Sequence, residues 1–558
     1  MRALVRTAVG LLWLAASSAA FDARPVSADP PQSPPEVLTG DRMSVETRFA
    51  QYFYAHSNGQ VNVPLATGDP VVDAVQTTNG SVPGPFAGQS MNCRACHLID
   101  EVVDSVGQRS YADFARHSPI PARDDGLTMT PRNSPPLVNA FIPRRVGFFL
   151  HFDGEFTTPE ALVKGTLTGR NYGWMPDERA IAVAHIANVI RGDDGTAVTA
   201  DAFGNVPYAG ALSGDYAVLP VDLQLPPLFR IDVMTASDEA VLDAVATLVT
   251  QYLRSLVFSQ DADGNYNGTA YDRFLAKNAL PRQPRPNESA LRYSRRLRRA
   301  VQRLTDPQFV TEADGTLKLH DHPFRFGADE LQGLRIFLTE SRHRATARQL
   351  RDRGVGNCIA CHAAPDFTDF SFHNTGATQE EYDALHGEGS FAALSVPPLD
   401  ARNADPDQFL PPSAAYPHAH SPFRAVASAA EPGITDLGMW NTYQNPAFTD
   451  PDQQQALQQM ICRSLRSCGA RRPDRLLDAA VALFKTPGLR DLGHSNPYLH
   501  TGRMDTLEDV IAFYGNVSTA ERAGMLRNGA HELAGIALGP NDTAPLAAFL
   551  RSLDEDYR

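Results

Sequence analysis

The chain has 558 residues, of which 64 are acidic and 50 are lysine or arginine, so its formal net charge is −14. This acidic balance argues against nucleic-acid binding as a main activity and would steer a basic redox partner toward the protein. The length predicts more than one domain, and the motifs must decide how many.

The N-terminus has the pattern of a secretory signal peptide. Two arginines precede an apolar run from Ala8 to Ala16, and small residues follow as far as Ala20. The run is too short to span a bilayer. We therefore predict a signal peptide over residues 1–20 and a periplasmic protein without stable membrane insertion. Residues 21–37 are rich in Pro and Ser and predict a flexible tether.

The six cysteines form three close pairs, and two of these pairs are followed at once by a histidine. C-x-x-C-H is the pattern of covalent c-type haem attachment, because two thiols at this spacing reach both vinyl groups of one porphyrin and the adjacent imidazole lies under the iron. Zinc prefers four ligands, whereas each motif offers three. The two predicted haem sites are Cys93, Cys96 and His97, and Cys358, Cys361 and His362.

The third pair, Cys462 and Cys468, has no adjacent histidine. In an oxidising compartment two cysteines this close in sequence favour a structural disulfide. We therefore predict a disulfide between them.

The hydrophobic pattern predicts a mainly α protein. Apolar residues recur at helical spacing from Ser237 to Leu256, which indicates an amphipathic helix. Other helices are predicted over Glu178–Arg191 and Asp329–Leu338, from Thr506 with Asp509 completing a capping box, and after Asp542 and Pro545.

Three segments give the chain a resemblance to the bacterial di-haem cytochrome c peroxidase and MauG superfamily. They are CRACH with PRNSPPLVNAF (131–141) and FDGEFTTPEALVKG (152–165), then YDRFLAKN (271–278) with CIACH and APDFTDFSFHNTG (364–376), and finally KTPGLRDLGHSNPYLHTGRMDTLEDVIAFY (485–514). They occur in the order typical of the family. The resemblance implies an oxidoreductase that transfers electrons between two haems, reacts with hydrogen peroxide and exchanges electrons with a small redox protein.

The resemblance also implies two cytochrome c-like helical haem domains, over residues 38–258 and 259–558, with long irregular insertions. The longest insertion runs from about residue 378 to about residue 485. A calcium ion bridges the haems in the family. Its implied ligands here are the side chain of Asn133 and the backbone carbonyls of Ser495 and Pro497, and oxygen ligands of this kind suit calcium.

Resemblance further implies a second iron ligand for the C-terminal haem. The family takes it from the helix after the P-Y-x-H-x-G motif, and fourteen residues beyond His500 the chain has Tyr514. Classical peroxidases have a methionine there, whereas MauG-type members have a tyrosine. A phenolate favours higher oxidation states of iron than a thioether does. Tyr514 also belongs to an apolar helical stripe, so core packing is the alternative, with Met504 and Met525 as other ligand candidates.

The N-terminal haem is the peroxidatic one in the family, with His97 as its implied proximal ligand. Resting classical peroxidases hold a removable histidine ligand in the following loop. His117 is the histidine of this chain that lies between CRACH and the RNSPP segment. It is a candidate for that role, and an ordinary surface histidine is the alternative.

The distal pocket departs from the family pattern. Relatives place a glutamine and a glutamate there, and the glutamate moves a proton between the peroxide oxygens. Ungapped alignment puts Leu162 and Tyr172 at these positions, and a shifted alignment puts Trp174 at the second. Glu178 is the nearest downstream carboxylate. Trp174, Glu178 and His117 are therefore the candidate catalytic residues.

A tryptophan between the haems is also typical of the family, but here Phe152 occupies that position. These departures leave three functions open. The first is a peroxide-reactive oxidoreductase, the second an oxygenase of rubber-oxygenase type that uses dioxygen, and the third a non-catalytic electron-transfer cytochrome.

Overall fold

The computed structural model describes residues 33–77, 80–84, 86–97, 119–129, 132–144, 147–197, 200, 204–214, 219–318, 320–341, 343–465 and 472–556. The predicted signal peptide, His117 and Cys468 lie outside these described residues. Within them, every helix is too short or too polar to cross a membrane.

The described part of the chain is mainly helical, which confirms the predicted fold class. Its α-helices are Pro35–Ser44, Gln51–His56, Pro70–Asp73, Cys93–Cys96, Pro159–Leu167, Arg179–Gly192, Tyr208–Ser213, Asp238–Ser255, Ala270–Lys277, Ala290–Gln302, Ala328–Leu338, Ala347–Asp352, Ala377–His386, Ser390–Ala393, Leu399–Ala404, Pro406–Phe409, Pro451–Ser464, Pro473–Ala479, Leu507–Ala523 and Pro540–Arg551. Short 3-10 helices are Thr47–Phe49, Arg170–Tyr172, Pro176–Glu178, Val221–Leu223, Pro227–Phe229, Cys358–Ala360, Met439–Asn441, Leu492–His494 and His531–Gly535.

The amphipathic pattern after Ser237 forms the helix Asp238–Ser255. Its first turn is capped by the Ser237 hydroxyl, which accepts a hydrogen bond from the Ala240 amide at 3.3 Å. Its apolar face is buried, with Val241 and Leu242 fully enclosed. Burial of such a face supplies most of a helix's stability in a folded protein.

The other predicted helices are also present, with small shifts of their ends. They are Arg179–Gly192, Ala328–Leu338, Leu507–Ala523 and Pro540–Arg551. Thr506 caps the third by accepting from the Asp509 amide at 3.1 Å. The last begins before Asp542 rather than after it, because the Asp542 carboxylate accepts from the Gly539 amide at 2.8 Å and completes the first turn.

The predicted tether ends earlier than the sequence suggested. Residues Pro35 to Val37 form the first turn of the helix Pro35–Ser44. A proline at the first helical position is compatible with a helix start, since its missing N–H would have no partner there. The helix buries Met43 and Arg42 against the following chain.

Two hydrophobic clusters divide most of the core, one formed by residues between 43 and 256 and the other by residues between 270 and 553. Each contains a close helix crossing at a glycine. A Cβ on Gly40 would lie 2.1 Å from the carbonyl oxygen of Leu248, and one on Gly333 would lie 1.9 Å from that of Pro545. Only glycine lets these helix backbones approach so closely.

The strands are short. They are Ala74–Thr77 paired with Gly80–Pro83, and Phe372–His373 paired with Phe484–Lys485, both antiparallel. The second pair joins the two ends of the predicted insertion. Much of the chain between these ends builds a third hydrophobic cluster around Trp440 and Tyr443. The insertion is therefore a packed unit with its own core.

Candidate functional site

The first C-x-x-C-H motif is held on one tight helical turn. The helix Cys93–Cys96 begins where the Asn92 side chain accepts a hydrogen bond from the Ala95 amide at 3.0 Å. The His97 amide then donates to the Cys93 carbonyl at 2.9 Å. Both cysteines are free thiols, and burial raises the pKa of Cys96 to about 12. The turn thus presents two neutral thiols and an imidazole together.

The His97 imidazole has the orientation and charge that an iron ligand needs. Its Nδ1 lies 2.8 Å from the Pro135 carbonyl oxygen, and as the donor there it leaves Nε2 with a free lone pair. Burial lowers the pKa of His97 to about 4, so the ring is neutral. A neutral imidazole whose other nitrogen is fixed is the usual state of a metal-binding histidine.

The second motif repeats this arrangement. The His362 amide donates to the Cys358 carbonyl at 2.7 Å, and His362 Nδ1 lies 2.9 Å from the Phe367 carbonyl oxygen. Burial lowers the pKa of His362 and raises that of Cys358 to about 12. Cys358 and Cys361 are both free thiols. The residues present at both motifs therefore fit covalent attachment of one haem each.

A cavity of about 220 Å³ lies against the first motif. Its wall contains Cys93, Cys96 and His97 and extends to residues that follow the second motif, such as Thr368 and Lys485. Burial and, to a lesser extent, the nearby Arg144 lower the pKa of Lys485 to about 7. Buried cations in the wall suit the anionic propionates of a haem, which would pair with them.

Leu162 and Tyr172, the residues aligned with the family's distal pair, both line this cavity. The Tyr172 hydroxyl lies 3.4 Å from the Cys93 sulfur. Burial raises the pKa of Tyr172 well above its usual value, so the phenol is neutral. Neither side chain is a base at neutral pH, as the sequence predicts.

The candidate catalytic residues Trp174 and Glu178 do not line the cavity. The Trp174 indole is buried and donates to the Phe49 carbonyl at 3.1 Å. Glu178 accepts from the Met175 amide at 2.8 Å and from the Arg123 guanidinium at 2.7 Å, so it begins a helix and forms an ion pair. These contacts occupy both side chains in structural roles.

A histidine that the sequence reasoning missed, His151, does line the cavity. Its Nδ1 lies 2.8 Å from the Glu155 carboxylate. An antiparallel bridge between Leu150 and Phe156 closes the short loop that carries both residues. Burial lowers the pKa of His151, so the ring is neutral although Glu155 opposes this effect. In the sequence this pair forms an H-x-x-x-E pattern, from His151 to Glu155, and that pattern could have indicated it.

Two arginines keep the Glu155 carboxylate charged. Arg170 Nη2 lies 2.9 Å from Glu155 Oε2, and Arg424 Nη2 lies 3.3 Å from the same oxygen. Burial alone would raise the pKa of Glu155, but Arg170, Arg424 and the hydrogen bond from His151 together hold it well below its usual value. Arg424 belongs to the insertion, which therefore contributes to the wall of this site.

Tyr514 lies beside the second motif. It is on the helix Leu507–Ala523 and packs in a cluster with Phe513 and Val517. Burial and the neighbouring thiols of Cys361 and Cys358 raise its pKa. Of the two alternative ligands, Met504 packs in the same cluster, whereas Met525 is 46% exposed.

The predicted calcium residues lie at a contact between distant parts of the chain. The Asn133 side-chain amide contacts the Pro497 carbonyl and lies 3.0 Å from the Leu499 carbonyl oxygen. The backbone N–H of Asn133 also donates to the His500 carbonyl at 2.9 Å. Ser495 donates its hydroxyl to the Asp491 carbonyl. Asn133 and Pro497 are thus brought together, and a calcium ion there stays a prediction.

Cys462, at the end of the helix Pro451–Ser464, is disulfide-bonded. Its predicted partner Cys468 lies outside the described residues, so the pairing itself stays a prediction.

Comparison with known sequences finds cytochrome-c peroxidases. The chain is 38% identical over 76 residues to the cytochrome-c peroxidase IdrP2 of Pseudomonas sp. (strain SCT). This aligned segment covers 14% of this chain and 18% of that protein. It is 24% identical over 204 residues to the cytochrome-c peroxidase IdrP2 of Denitromonas iodatirespirans. That aligned segment covers 36% of this chain and 36% of that protein. The chain therefore matches well under two thirds of the length of these relatives. No family model matches the chain.

Among solved structures, the chain is similar to the diheme peroxidase BthA from Burkholderia thailandensis E264, with 16% identity, a TM-score of 0.42, and coverage of 94% of this chain and 87% of that chain. It is also similar to a MauG-like protein associated with microbial copper homeostasis, with 14% identity, a TM-score of 0.38, and coverage of 95% and 91%.

Proposed function

We propose that this chain, a relative of the bacterial di-haem cytochrome c peroxidases and MauG-like proteins, is an exported oxidoreductase that reduces hydrogen peroxide at the His97 haem and exchanges electrons with the His362 haem. The observation that carries this proposal is the contrast between the two sites. His151 lines the cavity at the first motif and is hydrogen-bonded to Glu155, whereas Tyr514 lies beside the thiols of the second.

A haem held by Cys93, Cys96 and His97 would supply the redox-active iron for peroxide reduction. Reduction of one peroxide to two waters consumes two electrons and two protons, so the protein must handle protons beside the iron. His151 is suited to this task, because its Nδ1 is engaged by Glu155 and its Nε2 is left to accept a proton. Burial keeps the ring neutral, so Nε2 has a lone pair available for a proton. His151 Nε2 accepts the proton of the entering peroxide and returns it to the departing oxygen.

Glu155 positions His151. Because Arg170 and Arg424 hold the carboxylate charged, it remains an acceptor for the Nδ1 proton and fixes the tautomer of the ring. This arrangement replaces the glutamine and glutamate that relatives use, and which Leu162 and Tyr172 do not provide.

The His362 site serves as the store of oxidising equivalents. Tyr514 lies near Cys358 and Cys361, and it would supply its phenolate oxygen as a second ligand to the bound haem, an anionic donor that favours the oxidised iron. A small basic redox protein, attracted by the net charge of −14, supplies the electrons. Export is part of the proposal, since the disulfide at Cys462 suits an oxidising compartment.

An oxygenase of rubber-oxygenase type is the alternative, and the apolar wall of the cavity favours it. Leu162, Val163 and Leu167 line the space near the first motif and would accommodate an apolar substrate. In that function dioxygen rather than peroxide is the oxidant.

The test is to mix the diferric protein with one equivalent of hydrogen peroxide and to follow the Soret and near-infrared bands. We expect rapid changes in both regions. No change in either region would refute the proposal. A stable dioxygen adduct with release of a cleaved apolar product would support the oxygenase. Failure of both haems to bind cyanide or carbon monoxide would indicate an electron carrier.

A further inference from the structure

Five ionisable side chains from three separate segments meet at one place in the second half of the chain. His320 and His322 lie in the irregular segment before the helix Ala328–Leu338. Asp491 precedes the 3-10 turn Leu492–His494, and Asp554 and Asp556 follow the helix Pro540–Arg551. His320 and Asp554 are almost fully buried, with 8% and 1% of their surface exposed.

The ligand atoms of His320, Asp491 and Asp554 lie close enough together for one metal ion, all within 4.8 Å of one another. His320 Nε2 lies 3.0 Å from Asp491 Oδ1 and 4.0 Å from Asp554 Oδ2, and His322 Nε2 lies 2.9 Å from the same Asp554 oxygen. Nitrogen and oxygen ligands at the zinc bond lengths, set at tetrahedral angles, lie about 3.4 Å from one another. The observed separations fall on both sides of this value.

The hydrogen bonding of His320 gives a second, independent indication. Its Nδ1 lies 3.3 Å from Asp556 Oδ1, and the other Asp556 oxygen accepts from the Lys318 amide at 2.6 Å. A carboxylate that accepts from one imidazole nitrogen is the usual partner of a histidine whose other nitrogen binds metal. With Nδ1 as the donor to Asp556, Nε2 lies against two carboxylates, and a cation at that position would offset their charge.

The charges and the packing of this cluster also favour a bound cation. Three carboxylates face two imidazoles, so acidic groups outnumber imidazoles in this largely buried cluster, and a bound cation would offset the excess. Gly493 packs directly against the cluster, since a Cβ at this position would lie 2.4 Å from Asp554 Oδ2 and 3.0 Å from His320 Cδ2. A larger residue would displace the proposed ligands.

We propose that His320, His322, Asp491 and Asp554 bind one divalent transition-metal ion, with Asp556 orienting His320. Two imidazoles and two carboxylates at these separations suit Zn²⁺. The ion is structural, because its ligands come from three segments and leave no open position. It fixes the start of the loop that leads to Ser495 and Pro497, and it is separate from both the haem irons and the predicted calcium.

The test uses the full-length di-haem protein treated with a chelator, dialysed against Zn²⁺ and analysed for zinc and iron. We expect one zinc for every two haem irons. The double variant His320→Ala/His322→Ala should bind none, and Asp556→Asn should bind zinc about 10- to 100-fold more weakly, as expected for loss of an orienting carboxylate. Asp321→Asn is the matched control, because Asp321 is exposed between the two histidines and should leave binding unchanged.

Zinc absent from the wild-type protein, or retained by the double variant, would overturn the proposal. X-ray absorption at the zinc edge of the wild-type protein decides the matter even if the variants fail to fold. It should give a nitrogen and oxygen shell with about two imidazoles at about 2.0–2.2 Å. A shell of sulfur or of water would refute the site. None of these outcomes depends on the reaction with peroxide.

Discussion

His151 and Glu155 are joined by a hydrogen bond of 2.8 Å across the loop that an antiparallel bridge between Leu150 and Phe156 closes. His151 has a positive φ of 58°, which directs the chain into this loop. His151 lines the cavity of the first motif, and Arg170 donates to the same Glu155 oxygen at 2.9 Å. A buried imidazole on an ionised carboxylate is the arrangement that orients a proton acceptor.

Replacement of His151 by alanine should slow the reaction with peroxide by about 10²- to 10⁴-fold, the usual contribution of a general acid–base group. The checks are the stopped-flow rate of the Soret change and the pH dependence of cyanide binding at the His97 haem. The rate should fall, and the pH dependence of cyanide binding should no longer show the ionisation of His151. His418→Ala is the control, because His418 is exposed in the insertion. Equal rates in the two variants would contradict the assignment.

Replacement of Tyr514 by phenylalanine should convert the His362 haem from low to high spin, since a phenyl ring offers no ligand atom. EPR spectra of the as-isolated variant and wild-type proteins check this. Met525→Leu is the matched control, because Met525 is half-exposed and should leave the spectrum unchanged. An unchanged spectrum in the Tyr514 variant would mean that this tyrosine only packs in the core.

Replacement of Asn133 by alanine should remove bound calcium and loosen the contact with Pro497. Calcium analysis of the purified protein and the effect of a chelator on its EPR spectrum check this. We expect the chelator to alter the wild-type spectrum and to leave the variant unchanged. Arg254→Ala, which removes an exposed ion pair with Glu160, should retain the calcium. Calcium in the Asn133 variant at the wild-type level would refute the predicted ligand.

The buried ion pair of Glu46 with Arg48 should make stability depend on acid pH. Burial raises the pKa of Glu46, but Arg48 and Arg42 together hold it below 4.5. Tyr208 also donates to this carboxylate, and Asp193 accepts from both arginines. Because the folded pKa is lower than the unfolded one, this stabilisation is present above pH 4.5 and is lost as the pH falls through the folded pKa.

The variant Glu46→Gln should therefore be less stable at pH 7 by about 1.5–3 kcal/mol, because Arg48 loses one of its two charged hydrogen-bond partners and keeps only Asp193. The difference should shrink below pH 4.5, and thermal unfolding from pH 7 to pH 3 measures it. Glu239→Gln is the control. Its pair with Arg179 is exposed, so it should cost at most about 1 kcal/mol. A stability difference that stays constant from pH 7 to pH 3 would contradict a lowered pKa for Glu46 in the folded protein.

Features that depend on neighbours along the chain were predictable. A C-x-x-C-H motif places its thiols and imidazole on one turn whatever surrounds it, and both turns form as expected. The helix after Ser237 follows from its apolar spacing and its cap, and so does the helix after Thr506 that carries Tyr514. In these places the local covalent geometry and the helical period determine the outcome.

The candidate proton site and metal site were decided by tertiary structure. The alignment made Trp174 and Glu178 candidates, but neither lines the cavity. Trp174 donates to the Phe49 carbonyl, and Glu178 pairs with Arg123. Glu155 owes its charge partly to Arg424, which lies 269 residues further along the chain. His320, Asp491 and Asp554 likewise meet only after folding. The sequence by itself predicts where two haems would attach, because attachment requires five consecutive residues. Only the tertiary structure decided which side chains surround these two motifs, because burial and charge pairing depend on segments that are distant in the chain.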